Sequence, residues 1–179
     1  MSGDALKTLF HPFEAGVLAA PDKGERVLFL GAEPGFRLPE GWGADLCAVQ
    51  GFRPDFRSLG GMRLASVTPS AEGTGYAAAL VLAGRHRGRN ELFIAAALER
   101  TSPGGLILVA GSKDDGIASL RKRLEGIVGL DGSLPKYHGL AFWFRRPADE
   151  AASVELRAAN PSLLVEDRFR TAPGMFSFD

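Results

Sequence analysis

Two groups of residues in this sequence have the types and spacing to do chemistry. The first is a glycine pair, Gly31 and Gly35, directly after the apolar run Arg26-Val27-Leu28-Phe29-Leu30. Glycines at a strand end let backbone approach a ligand, and a carboxylate about 20 residues later would bind that ligand's ribose hydroxyls. Gln50 stands where the carboxylate is needed, and a neutral amide accepts more weakly than a charged group. Pro34 removes one backbone donor from the loop, and Phe36 is bulky. The stretch 37–43 has no helical periodicity, so no helix N-terminus is expected to face a ligand there. Gly31, Gly35 and Gln50 therefore read as a degenerate cofactor site with poor affinity; glycines that merely turn the chain are the plainer reading.

The second group is cationic: Arg37, Arg53, Arg85, His86, Arg87, Arg89 and Lys113 each follow an apolar run. In doubly wound sheets the loops beyond the strands' carboxyl ends diverge and leave a crevice, so these positions are expected to converge. The planar donor fork of arginine suits phosphate, which makes an RNA backbone the expected ligand. The alternative is solvated arginines, or arginines paired with neighbours such as Glu91. Arg121-Lys122-Arg123 reads as a solvated helix face, with Glu125 one turn from Arg121. Phe142, Trp143 and Phe144 read as core, two facing inward and one outward. Lys136 and His138 look too isolated to carry chemistry. No Ser-His-Asp, paired-carboxylate or metal constellation is visible, so no catalytic residue is expected.

The elements that must position these residues alternate in type. A short helix over 4–13, ended by Pro12, is expected to pack across the sheet. Continuous apolar runs at 26–31, 44–49, 63–67, 77–83 and 106–110 read as strands covered on both faces. A helix over 90–101 puts Phe93, Ile94, Ala97 and Leu98 on one stripe, with Asn90 placed to cap it. Ser112-Lys113-Asp114-Asp115 has capping-box spacing for a helix bearing Ile117, Leu120, Leu124, Ile127 and Val128. The runs 134–138 and 140–146, joined through Gly139, predict an antiparallel hairpin. Right-handed crossovers then require a doubly wound, mostly parallel α/β sheet of seven strands, Rossmann-like and closed by a C-terminal hairpin. Beyond it come a helix at 151–158, the break Asn160-Pro161 and an extended 163–171.

Composition limits the alternatives. The 179 residues suit one core, and 21 Lys and Arg balance 21 Asp and Glu, leaving no overall field for nucleic acid or membrane. The single Cys47 can form no internal disulfide and reads as a buried thiol. His11, His86 and His138 lack zinc-ligand spacing. No signal-peptide pattern or membrane-length apolar run is present, so a cytoplasmic protein without membrane contact is expected.

Several stretches carry a resemblance. Leu98-Glu99-Arg100-Thr101-Ser102-Pro103-Gly104-Gly105-Leu106-Ile107-Leu108-Val109 is similar to the helix, Pro-Gly-Gly turn and fifth strand of class I methyltransferases. Arg170-Thr171-Ala172-Pro173-Gly174-Met175-Phe176-Ser177 resembles the segment that precedes the catalytic domain in RsmC-type small-subunit rRNA guanine-N2 methyltransferases. With Arg26 to Gly31 and Gly111 to Ile117, the similarity covers most of the chain. That family has two methyltransferase-like domains in tandem; the second binds S-adenosylmethionine and carries Asn-Pro-Pro-aromatic at the target amine. Here the only Asn-Pro is Asn160-Pro161, followed by Ser162 and well past strand four. The resemblance thus implies the non-catalytic, substrate-positioning N-terminal domain, as a fragment or a free-standing relative. Residues 1–147 would be methyltransferase-like and 148–179 would lead toward a C-terminal catalytic domain. S-adenosylmethionine would serve the full-length enzyme and not this domain, and rRNA and the catalytic domain would be its partners. The competing readings are a domain that binds the donor and transfers methyl itself, and a structural domain that dimerises.

Overall fold

The structure, a computed structural model, describes residues 3–165 and 169–171. Seven strands form one sheet: β1 (Arg26–Leu30), β2 (Asp45–Val49), β3 (Ser66–Thr68), β4 (Tyr76–Leu82), β5 (Thr101–Ser112), β6 (Gly132–Lys136) and β7 (Gly139–Arg145). Their order is β3-β2-β1-β4-β5-β7-β6. β1 to β5 pair in parallel, and β7 runs antiparallel to both β5 and β6. The chain leaves β1 toward one edge and returns to β4, which sets a topological switch point between those two strands. The doubly wound sheet with its closing hairpin agrees with the sequence.

Alternation along each strand divides the core in two. On one face Leu28, Leu30, Val49, Ile107, Val109, Phe142 and Phe144 meet α3 (Arg87–Arg100), α4 (Ile117–Glu125) and α5 (Ala151–Ala159). On the other, Val27, Phe29, Leu80, Leu108 and Trp143 lie under α1 (Gly3–Glu14) and Leu59 of α2 (Arg53–Gly60). Because both faces are covered, Trp143 is buried like its two neighbours, and the expected outward-facing aromatic does not exist.

Several boundaries differ from the expectation for local reasons. α1 runs past Pro12 to Glu14, because the last turn closes through the Ala15 N–H on His11 O at 2.8 Å. β3 is shorter and later than the run 63–67 suggested, while β5 is longer, with a register shift opposite Tyr76 and Ala78. Ser112 Oγ does accept an N–H, from Asp114 at 3.2 Å, but it caps a single 3₁₀ turn at Lys113–Asp115 and α4 begins after Gly116. Helix α2, which the sequence reading did not place, sets Phe56 and Leu59 on one side, but only Leu59 is buried.

The hairpin turn is Tyr137-His138, at φ +53° and +55°, and not Gly139. Gly139 is needed for a different reason: a Cβ there would lie 2.6 Å from the Gly111 carbonyl and 2.9 Å from Thr8 Oγ1. Beyond α5, β8 (Leu163–Val165) pairs antiparallel with β9 (Phe169–Thr171). Most of the junction-like stretch, Ala172 to Ser177, lies outside the described residues.

Gly139→Ala is expected to destabilise the fold by about 1–3 kcal/mol through this overpacking. A urea titration should show a lower midpoint at an unchanged slope.

Candidate functional site

At the switch point the loops after β1 and β2 bind each other. The N–H groups of Gly31 and Ala32 both donate to Val49 O at 3.1 Å. Gln50 is buried; its Nε2 donates to Ala32 O at 2.8 Å, and its Oε1 accepts from the Phe52 N–H at 2.8 Å. The side chain that would have to reach a ribose is therefore engaged at both ends. Gly31 stands at φ +73°, where a Cβ would come 2.9 Å from Leu82 O and 3.0 Å from the Phe93 ring. α3 thus presses against the turn where a ligand would enter. Arg89 stacks on Phe93, its Cζ 4.7 Å from the ring centroid. Burial lowers the pKa of its guanidinium from the ordinary value, and the nearby Glu33 carboxylate opposes that shift.

Between β1 and β2 no helix forms. The loop instead sends Phe36 and Trp42 into the α1 face: Phe36 stacks on Phe10 at 5.3 Å and meets Phe29 edge-on at 5.4 Å. Trp42 meets Phe13 edge-on at 5.3 Å. Phe36 is therefore a core residue and not a plug over the loop. Gly35 is exposed, with nothing within 4 Å of a Cβ built on it.

The basic rim does not converge on one place. Arg53 opens α2 and borders a cavity with Gln50, Phe56, Arg57 and Pro69. Arg85 and Arg87 border a second cavity with Asp115 and Ser119. Arg87 Nε lies 3.0 Å from Glu91, a buried carboxylate that also holds Arg123 at 3.3 Å. Arg89 is half-buried on Phe93, and His86 is the half-buried residue preceding α3. Asn90 does not cap α3; its amide bonds Gly84 reciprocally, accepting from the N–H at 2.9 Å and donating to the carbonyl at 2.7 Å. Arg37 borders a third cavity with Lys7 and Tyr137, while Lys113, whose N–H donates to His138 O, heads the turn that brings Asp115 to the second cavity.

Sequence reading missed Lys7 and Tyr137 and set Lys136 aside. Folding brings both lysines to the Tyr137 ring, Lys136 Nζ at 5.6 Å and Lys7 Nζ at 5.9 Å from its centroid. Arg121 pairs with Glu125 at 3.0 Å, in keeping with a solvated helix face. Among the described residues no group of three or more His, Cys, Asp or Glu could hold a metal, and no helix is long and apolar enough to cross a membrane.

Neither a protein-family model nor a curated protein sequence matches this chain. Solved structures match it in fold. The T. thermophilus 16S rRNA N2 methyltransferase RsmC, in complex with AdoMet and guanosine, superposes at a TM-score of 0.66 and 20% identity, over 97% of this chain and 47% of that one. The chain thus spans about half the length of that enzyme. N-methyltransferase NodS from Bradyrhizobium japonicum gives 0.57 at 10% identity, over 79% of this chain and 94% of that one. An RNA methyltransferase from Salinibacter ruber, in complex with S-adenosyl-L-homocysteine, gives 0.52 at 12%, over 80% and 92%. The architecture is that of a class I methyltransferase.

Gln50→Glu would set an acceptor against Ala32 O and remove the donor that this side chain gives that carbonyl. Its expected cost is about 1–3 kcal/mol, read as a lower thermal midpoint by circular dichroism.

Proposed function

We propose that this chain is a non-catalytic, substrate-positioning domain of an rRNA guanine-N2 methyltransferase, equivalent to the N-terminal of that enzyme's two methyltransferase-like halves. The observation that carries the reading is the Gln50 side chain, which joins the loops after β1 and β2 in the space where S-adenosylmethionine would need acceptors. The residues present do not fit that donor: both turn amides are taken by Val49 O, and Phe93 closes on Gly31. The position after β4 supports the same division of labour. It reads Ala83-Gly84-Arg85-His86 in place of Asn-Pro-Pro-aromatic, and Gly84 is bonded both ways to Asn90. The match to about half of the RsmC chain is what one of two tandem domains would give. The full-length enzyme would carry S-adenosylmethionine on its C-terminal catalytic domain, the partner of this one.

In this role the rim side chains hold rRNA phosphates, with Arg53, His86 and Lys113 the groups best placed. Arg87 is held by Glu91 and Arg89 by Phe93, so those two serve the fold first.

Two measurements test the reading. Isothermal titration calorimetry of the chain with S-adenosylmethionine should show no saturable heat, whereas tight, saturable binding would overturn it. Changing Arg53, Arg85 and Lys113 together to Ala should weaken binding of a structured rRNA fragment. It should also reduce the log–log salt slope by about 2–3, because each phosphate left without its cation keeps its own counterions. An unchanged affinity and slope would remove the RNA role.

A further inference from the structure

The β6–β7 hairpin tip combines three features that neither its turn nor its packing requires. Tyr137 and His138 are the only non-glycine residues with positive φ among the described residues. A two-residue hairpin needs that left-handed pair, but Asn and Gly adopt it with little strain and a tyrosine does not. Burial does not offset the strain, because Tyr137 remains 38% exposed.

The second feature is charge. Lys7 comes from α1 and Lys136 from β6, yet both ammonium groups approach one ring, whose edge also meets His11 at 5.8 Å and 82°. At 5.6 and 5.9 Å the lysines sit at the outer limit of cation–π attraction. Both lysine side chains are exposed. Among the described residues, neither they nor Arg37 has a carboxylate at ion-pair distance.

The third feature is space. A cavity of about 470 Å³ runs between α1 and the loop after β1, bordered by Lys7, Phe10, Glu14, Gly35, Arg37 and Tyr137. Its one carboxylate, Glu14, lies two helical turns from Lys7, about 10 Å along the axis, so the end at the ring is cationic.

We propose that Tyr137 is a stacking platform for an unpaired RNA base, with Lys7, Lys136 and Arg37 meeting the phosphates on either side. The inference rests on the RNA-positioning reading above and deepens it, by naming single-stranded RNA as the substrate class at this corner. An accessible ring flanked by mobile cations is how sequence-tolerant single-strand sites are built, since every base has a face to stack. A duplex offers no such face, because its bases are already stacked. An acidic protein surface would need the cations but would have no use for a strained, exposed ring.

The test measures fluorescence anisotropy of a labelled single-stranded RNA oligonucleotide, and of its duplex, with this chain. The single strand should bind more tightly than the duplex. Tyr137→Asn removes the ring and suits the left-handed turn, so it should keep or raise the thermal midpoint while weakening single-strand binding about 5- to 100-fold. Tyr137→Phe should retain wild-type affinity. Lys7→Ala with Lys136→Ala, both at exposed positions, should leave the midpoint in place and reduce the single-strand salt slope by about 1–2. If Tyr137→Asn and the lysine pair bind as the wild type does while Arg53→Ala with Arg85→Ala weakens binding, the stacking site is overturned and the rim reading stands. If none of these changes RNA affinity, both fall. If the hairpin variants lose only association with a methyltransferase domain, the corner belongs to a protein partner and the proposal is overturned.

Discussion

A single side-chain amide ties together the two loops on which every ligand argument for this fold depends. Gln50 is buried and satisfies one carbonyl and one N–H, each 2.8 Å away, in the loops after β1 and β2. Buried backbone must find partners, and here the chain supplies them itself, with Gly31 and Ala32 both turned onto Val49 O. The loop between β1 and β2 then needs no helix. It covers the sheet with Phe36 and Trp42, which complete an aromatic cluster with Phe10, Phe13 and Phe29.

Charge is arranged on a similar economy. The sequence is formally neutral, but Glu91, a buried residue of α3, draws in Arg87 and Arg123 and receives the Asn160 amide at 3.4 Å. Arg157 pairs with Glu99 at 2.6 Å, where the hydrogen bonds to the carboxylate raise the guanidinium pKa above its ordinary value. These contacts fasten α5 and α4 to α3 and withdraw Arg87 from the rim. The cations that remain accessible gather at the start of α2, after β4 and around the β6–β7 hairpin. A binding role must be read from those places and not from the count of basic residues.

The inner strands were legible because they are covered on both faces and so appear as largely apolar runs, with turn residues between them. The missing helix after β1 was equally legible from the prolines and glycines of 37–43 and their lack of periodicity. Helix α2 was not, since it is a short surface helix whose apolar side is only Phe56 and Leu59. Asn90 misled because a helix-capping residue and a loop-closing residue have the same chemistry, and only the position of Gly84 decides between them. Gln50 stood out in the sequence, but the packing of Phe93, 62 positions beyond Gly31, against that turn did not. The hairpin site was hidden for the same reason: Lys7 and Tyr137 are neighbours only after the sheet has formed.

The docking of α1 has a consequence for how the domain comes into being. Thr8 Oγ1 lies 2.9 Å from Lys136 O, 128 positions away, and the helix packs over Leu134, Ala141 and Trp143 near the opposite end of the sheet-forming sequence. Of the elements in this domain, the one that leaves the ribosome earliest is therefore among the last to find its seat. Until the hairpin is made, Leu6, Leu9, Phe10 and Phe13 face water without the sheet that will cover them, and closure of so distant a contact is intrinsically slow. The nascent domain is at its most adhesive along this helix, a stage at which chaperone protection matters more than the stability of the finished fold.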